Sequence, residues 1–275
     1  MLINCDNPFY ANPQYAPALA QAGIDSAETL WAYKGNTVKN NVARRITAQA
    51  FLPGTGEKDI WVFIKRYSGF SFRERLKNFF SLKFRLFDAL DEARSLQTIA
   101  GKGIPVPAVI AAGRCANGDT VVMIQGLDWC EDVRSLLMRV TDKNARKTLI
   151  TRMAELAARL HSANIAHQDM YPMHFYAARE NYREMYLIDL QRAICAPKRL
   201  GERWVVKDLG QLIAALSAIG CDQREIMRLW HVYRQKRQLD RKYGHNLLVR
   251  AFQKADWINR RVQQKIAAHK EGYGL

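Results

Sequence analysis

Apolar and polar positions change period about halfway along the chain. In the first half, Ile60-Trp61-Val62-Phe63-Ile64-Lys65 is an apolar run closed by a lysine, which predicts a buried strand. Upstream, Trp31, Tyr33, Thr37, Val38, Val42, Ile46 and Thr47 predict a hairpin turning near Gly35-Asn36 or near Lys39-Asn40-Asn41. Residues 1–22, rich in Pro, Asn, Ala and Tyr, read as an irregular arm, and Asp25 or Ser26 is placed to cap a short helix. Leu90, Ala93, Leu96 and Ile99 recur at helical spacing over 88–99, stopped by Gly101 and Gly103. Two short strands, 108–112 and 120–124, flank an Asn117-Gly118 turn. Gln125-Gly126-Leu127-Asp128 reads as a hinge. Beyond it the period is helical: 132–140, then 144–162 with Leu149, Met153, Leu156 and Leu160 on one face, then 206–219 and a basic tail. Strands first and helices after predict an α+β chain of two lobes, a small β-rich one over 1–124 and a larger helical one over 125–275.

Two polar clusters interrupt the helical half. Ala166-His167-Gln168-Asp169-Met170-Tyr171-Pro172-Met173-His174-Phe175 sets an aspartate after a histidine, with a second possible metal ligand, His174, further on. Tyr186-Leu187-Ile188-Asp189-Leu190 then ends an apolar run on an aspartate. Phosphoryl transfer from ATP needs this inventory: one carboxylate to take the acceptor's proton, and ligands that hold magnesium against the phosphates. The order matches the kinase catalytic loop and its metal aspartate. Each residue also has a plainer reading. Asp169 alone is a turn aspartate, Asp189 a strand-end charge, Lys65 a solvated strand end and Glu92 a solvated helix acid. Asp208, before a Leu-Gly-Gln-Leu stretch, reads as a helix cap or as support for the catalytic loop. His161, His167 and His174 lack the i, i+4 spacing of a helical zinc site.

Composition adds one strong constraint. The 275 residues are 48% hydrophobic and 25% charged, which is ordinary for a folded chain, but the net charge is +16. A surplus of that size calls for an anionic partner. Residues 65–85 set Lys65, Arg66, Arg73, Arg75, Lys77, Lys83 and Arg85 among aromatics, and 224–265 hold twelve basic against three acidic residues. Such segments suit an anionic membrane surface or a nucleic-acid strand. No zinc-finger, RNP-type or helix-turn-helix pattern accompanies them, so nucleic acid is not expected. Five scattered cysteines without a Cys-x-x-Cys, and an N-terminal stretch lacking the basic and apolar regions of a secretion signal, predict a reduced, cytoplasmic setting.

Together these features resemble the protein-kinase-like fold. Val62-Phe63-Ile64-Lys65 is similar to the kinase strand whose lysine holds the α- and β-phosphates, and Glu92 is placed like its helical partner. More narrowly, the chain resembles the lipopolysaccharide core kinases of Gram-negative bacteria, the heptose and Kdo kinase group. The segments that carry this are Glu92-Ala93-Arg94-Ser95-Leu96, Gly103-Ile104-Pro105-Val106-Pro107, His167 to Phe175, and Leu187-Ile188-Asp189-Leu190-Gln191-Arg192-Ala193. The resemblance implies transfer of the ATP γ-phosphate to a hydroxyl of an inner-core sugar, peripherally at the cytoplasmic face of the inner membrane. It assigns Asp169 as catalytic, Lys65 and Glu92 as ATP-binding, and Asp189 with His174 as magnesium-binding. A multi-glycine loop is absent, and Gly35 is the glycine available in the first hairpin to cover the phosphates. The alternatives are a kinase with a soluble small-molecule acceptor, or a non-catalytic basic pseudokinase on anionic membrane or RNA.

Overall fold

The computed structural model describes residues 8–41, 45–54, 58–69 and 88–272. The chain groups into two units, the first running to Asp128 and taking in Asp189–Gln191, the second holding Trp129–Ile188 and the chain from Arg192 onward. The sequence reading put its boundary after residue 124 and carried the Asp189 loop with the second part, whereas the loop's first three residues group with the first.

The first unit is built on a six-stranded antiparallel sheet. Its strands are β1 (Phe9–Ala11), β2 (Asn36–Asn41), β3 (Arg45–Leu52), β4 (Ile60–Tyr67), β5 (Val109–Arg114) and β6 (Thr120–Gln125), in the spatial order β1-β5-β6-β4-β3-β2. Alternation along β4 turns Val62 and Ile64 into a core with Leu19, Leu30, Leu52, Ile110 and Met123, and leaves Lys65 on the opposite face. The strand does not end at Lys65: Arg66 and Tyr67 continue the pairing with β3 and β6, and the Arg66 side chain donates to the Trp31 carbonyl at 2.7 Å.

Three expectations for this unit are corrected. The stretch before residue 22 is no irregular arm from residue 9 on: β1 pairs with β5, and helix α1 (Ala16–Gln21) buries Ala18 and Leu19. Trp31 belongs to helix α2 (Ala27–Ala32), which Ser26 caps by accepting from the Thr29 amide at 3.2 Å. Asn36–Asn41 form β2 and pair with β3, so the forecast turn lies neither at Gly35-Asn36 nor at Lys39-Asn40-Asn41, and residues 42–44 are outside the described residues. The basic aromatic segment 70–87 also lies outside them. Helix α3 (Ala89–Ala100) keeps its forecast face: Leu90, Ala93, Leu96 and Ile99 are all buried.

The second unit is mainly helical, with α4 (Val133–Arg139), α5 (Lys143–Ser162), α6 (Glu202–Ala218), α7 (Gln223–Lys236) and α8 (Arg241–Gly272). The forecast stripe of α5, Leu149, Met153, Leu156 and Leu160, is buried. Asp142 accepts from the Ala145 amide at 2.7 Å and so starts that helix. Short strands β7 (Cys130–Asp132), β9 (Phe175–Ala178) and β10 (Met185–Leu187) form a three-stranded sheet, while β8 (Ile165–Ala166) pairs with β11 (Ile194–Cys195). These two small sheets set the ends of the polar loops that follow β8 and β10. Among the described residues no helix is long and apolar enough to cross a membrane.

Candidate active site

In the first unit, the lysine of β4 meets the glutamate of α3. Lys65 Nζ donates to Glu92 Oε1, with Lys65 8% exposed and Glu92 fully buried. The helix is set for this contact at its first turn. Asp88 and Asp91 make a reciprocal capping box, and the Ala89 amide donates to Thr120 Oγ1 on β6 at 3.2 Å. A buried ion pair persists only when the partners satisfy each other, so the pair fixes a cation at one point on the sheet face. Glu92 Oε2 finds no partner among the described residues.

Tyr67, two residues beyond Lys65 on the same face, donates to Gln191 Oε1 at 2.7 Å, and Arg45 of β3 donates to the same oxygen at 3.2 Å. These two bonds tie Gln191, in the segment that groups with the first unit, to the sheet. Burial, then the Glu92 carboxylate, push the Tyr67 phenol well above its ordinary pKa, with Asp189 adding in the same direction and Arg45 opposing. Tyr67 therefore remains a donor throughout the physiological range. Asp189 itself has φ 58°, a left-handed conformation uncommon outside glycine. Gly35 stands at the entry to β2, at the end away from the β2–β3 turn. A Cβ there would lie 2.7 Å from the Gln49 carbonyl oxygen, so close packing on β3 explains this glycine.

In the second unit, one buried carboxylate organises the His167–Asp169 loop. Asp208, fully buried, accepts from the His167 amide at 2.7 Å, the Gln168 amide at 2.9 Å and His161 Nε2 at 3.2 Å. It lies inside α6, whose N-cap is Gly201, so it supports the loop and does not cap the helix. One turn later, Gln211 accepts from the Met170 amide at 3.2 Å. Gln168 is held at φ 75° between these bonds, with its Oε1 accepting from Lys207 at 3.0 Å. Left-handed non-glycine residues cost about 1–3 kcal/mol and persist where neighbours over-determine them. Asp208 and Lys207 supply that constraint.

Asp169, next in the chain, has a side chain 26% exposed, and Arg192 Nη1 donates to both its oxygens at 3.1 and 3.0 Å. Carboxylate oxygens accept more than one bond each, so this ion pair orients Asp169 and leaves it able to accept from a hydroxyl. His174 Nδ1 lies 2.7 Å from the Asp169 carbonyl oxygen and must carry the proton there, and His167 Nε2 likewise donates to the Ile188 carbonyl at 3.0 Å. The two imidazoles stack 5.5 Å apart and nearly parallel. Both histidines brace the loop.

The site residues read from the sequence thus divide. Lys65, Glu92, Gly35 and Asp189 lie in the first unit, and Asp169 and His174 in the second. Arg192, Lys207, Gln211 and the Tyr67–Gln191 bond were not assigned roles in advance. Arg192 had a visible signal, being in the Asp-Leu-Gln-Arg segment, and Asp208 and Gln211 share one helix face at i, i+3. Among the described residues, no three His, Cys, Asp or Glu side chains cluster as a self-sufficient metal site.

A sheet-bearing unit with a strand lysine paired to a helix glutamate, and a helical unit with a clamped His-x-Asp loop, define an α+β protein of kinase-like class. The model of the lipopolysaccharide kinase (Kdo/WaaP) family matches residues 28–233, and the chain belongs to that family. Relatives include a lipopolysaccharide core heptose(I) kinase WaaP of Escherichia coli K12, 29% identical over 224 residues, spanning 74% of this chain and 82% of the relative. Another of that name, from Pseudomonas aeruginosa, is 24% identical over 278 residues, spanning 92% of this chain and 94% of the relative.

Proposed function

We propose that this protein is an ATP-dependent kinase that phosphorylates a sugar hydroxyl of the lipopolysaccharide core. The observation that carries the reading is the loop clamped by Asp208, with left-handed Gln168 delivering an oriented and partly exposed Asp169. That is an elaborate support for a single carboxylate, and proton transfer from an acceptor hydroxyl explains it.

In this mechanism Asp169 accepts a hydrogen bond from the sugar hydroxyl and takes its proton as the new oxygen–phosphorus bond forms and ADP leaves. Lys65, fixed by Glu92, holds phosphate oxygens and offsets the charge that develops on them. Asp189 offers magnesium a hard oxygen ligand, and one or two carboxylates with substrate phosphates are what that ion ordinarily takes. Held there, the ion would supply positive charge against the developing negative charge of the transfer. His174, with Nδ1 committed to the Asp169 carbonyl, has only the nitrogen Nε2 to offer, a donor magnesium disfavours. Its main role is to brace the loop. The family relation and the basic charge support a lipid-linked acceptor met at the cytoplasmic face of the inner membrane, without nucleic acid.

The test is transfer of labelled phosphate from ATP to inner-core glycolipids and to soluble sugars. Asp169→Asn should lower turnover about 10²–10⁴-fold, the range of a general base, while the melting transition stays cooperative. Undiminished transfer by this variant removes the assignment, and a preference for soluble sugars removes the lipopolysaccharide acceptor.

A further inference from the structure

One cation touches the reacting carboxylate directly. Arg192 Nη1 lies 3.1 and 3.0 Å from the two oxygens of Asp169. Strand pairing brings the two residues together. Ile194 of β11 stands opposite Ala166 of β8 in antiparallel register, so the chain entering β11, with Arg192, runs beside the chain leaving β8, with Asp169. The loop itself supplies no such charge. From Met170 to Ala178 there is no lysine or arginine, and Arg179, the next, pairs with Glu131 at 3.8 Å. Lys207 spends its contact on Gln168 Oε1.

The contact between Arg192 and Asp169 is one-sided. A fork-to-fork pair sets two nitrogens against two oxygens. Here one nitrogen meets both oxygens, and among the described residues no bond leaves from Nη2 or Nε. The Arg192 side chain is 49% exposed, and an ion pair that open to water contributes little to stability, so holding the loop together does not account for it. The reaction defines what else lies in reach. A hydroxyl donating to Asp169 is about 2.7 Å away, and in a near-attack arrangement the γ-phosphorus lies about 3–3.5 Å beyond it. Nη2 and Nε, joined to Nη1 through Cζ, fall within that radius of the carboxylate and carry donors suited to phosphate oxygens.

We infer that Arg192 is a further catalytic residue: the guanidinium that pairs with Asp169 at rest also donates to the γ-phosphoryl oxygens during transfer. This role rests on the kinase reading and adds to it a cation that follows the transferred group. As the acceptor oxygen bonds to the γ-phosphorus, the bond to the bridging oxygen breaks, ADP leaves with its electron pair, and the hydroxyl proton passes to Asp169. The neutral carboxyl then holds the guanidinium less, while the phosphoryl oxygens stay anionic. Arg192 thus grips the phosphoryl group more tightly late in the reaction than in the ground state, which is the condition for a contact to raise kcat.

The test uses the full chain with ADP, magnesium and aluminium fluoride, a combination that mimics the transferring phosphoryl group. In calorimetry the native protein should bind it more tightly than ADP with magnesium. Arg192→Gln should weaken the fluoride complex roughly 10²-fold, leave ADP with magnesium unchanged and keep the native melting transition. In transfer assays its kcat should fall about 10³-fold, the lower end for an arginine at a transferring phosphoryl group, with both KM values little moved. Arg192→Lys keeps the charge without the fork and should recover only part of either loss. The deciding background is Asp169→Asn, in which Arg192→Gln should still weaken the fluoride complex. If that further loss vanishes, Arg192 acts only through Asp169, and the catalytic role is overturned. It is overturned equally if Arg192→Gln leaves the fluoride complex intact or weakens ADP with magnesium as much. A native protein that binds the fluoride complex no better than ADP, and transfers no phosphate, removes the kinase reading and the role of Arg192 with it.

Discussion

The two units fix their charges in opposite ways. In the first, a single lysine and a single glutamate, from a strand and a helix, satisfy each other in a buried pair. In the second, one buried carboxylate serves two backbone amides and an imidazole at once. The pair is a contact between side chains, so its energetic role can be taken over by any well-packed substitute. The hub satisfies backbone donors that no substitution removes, so nothing apolar replaces it. One arrangement places a charge at a point, and the other shapes a loop. Phosphoryl transfer needs both, because its rate comes chiefly from positioning and fixed charge.

The sharpest break of that contrast is Asp208→Ala. It leaves the His167 and Gln168 amides and His161 without their common acceptor and should cost about 3–5 kcal/mol in denaturant unfolding. Turnover should fall with it, since Gln168 loses the bond that holds its left-handed conformation. A stability within about 1 kcal/mol of native would show that water or loop rearrangement replaces the carboxylate, and the hub would lose its meaning.

The pair should behave otherwise. Glu92→Leu alone strands the Lys65 ammonium, whose side chain is 10% exposed, and should cost about 3 kcal/mol. Joining Lys65→Met to it should restore most of that stability while abolishing turnover, because an apolar pair fills the space but binds no phosphate. If the double variant is as unstable as the single one, the pair contributes more than mutual compensation, and the contrast with Asp208 weakens.

The same distinction governs how much was legible in the sequence. Lys65 and Glu92 stand out because each sits in a short element of clear period, and the strand and helix follow from local pattern alone. The His-x-Asp loop was equally plain. Asp208 was read as a cap or as loop support, and only the helix boundary decided between them: with Gly201 as N-cap, Asp208 falls among Val205, Leu209 and Leu212 on a buried face. A carboxylate there needs partners, which is a signal available to a reader who trusts the helix. The strand Phe9–Ala11 was missed because it is three residues long and its partner, beginning at the Phe9↔Gly113 pairing, is remote in sequence. Arg192 was missed as a partner of Asp169 because that contact depends on the path of a loop. Period is a local property and loop path is not.

The smallest effect tests what joins the Asp189 segment to the sheet. Tyr67→Phe removes the 2.7 Å bond to Gln191 Oε1 and leaves the 3.2 Å bond from Arg45 in place. Because Gln191 keeps one donor, the loss should be about 0.5–1.5 kcal/mol, the net worth of one hydrogen bond. Phenylalanine fills nearly the same volume, so packing around Lys65 is preserved and the measurement isolates the polar contact. Gln191 then keeps one of its two bonds to the sheet, and the KM for ATP should rise by a few-fold while the KM for the acceptor does not move. A rise confined to the acceptor would mean that Gln191 serves the second unit, and that the grouping of Asp189–Gln191 with the sheet has no functional counterpart.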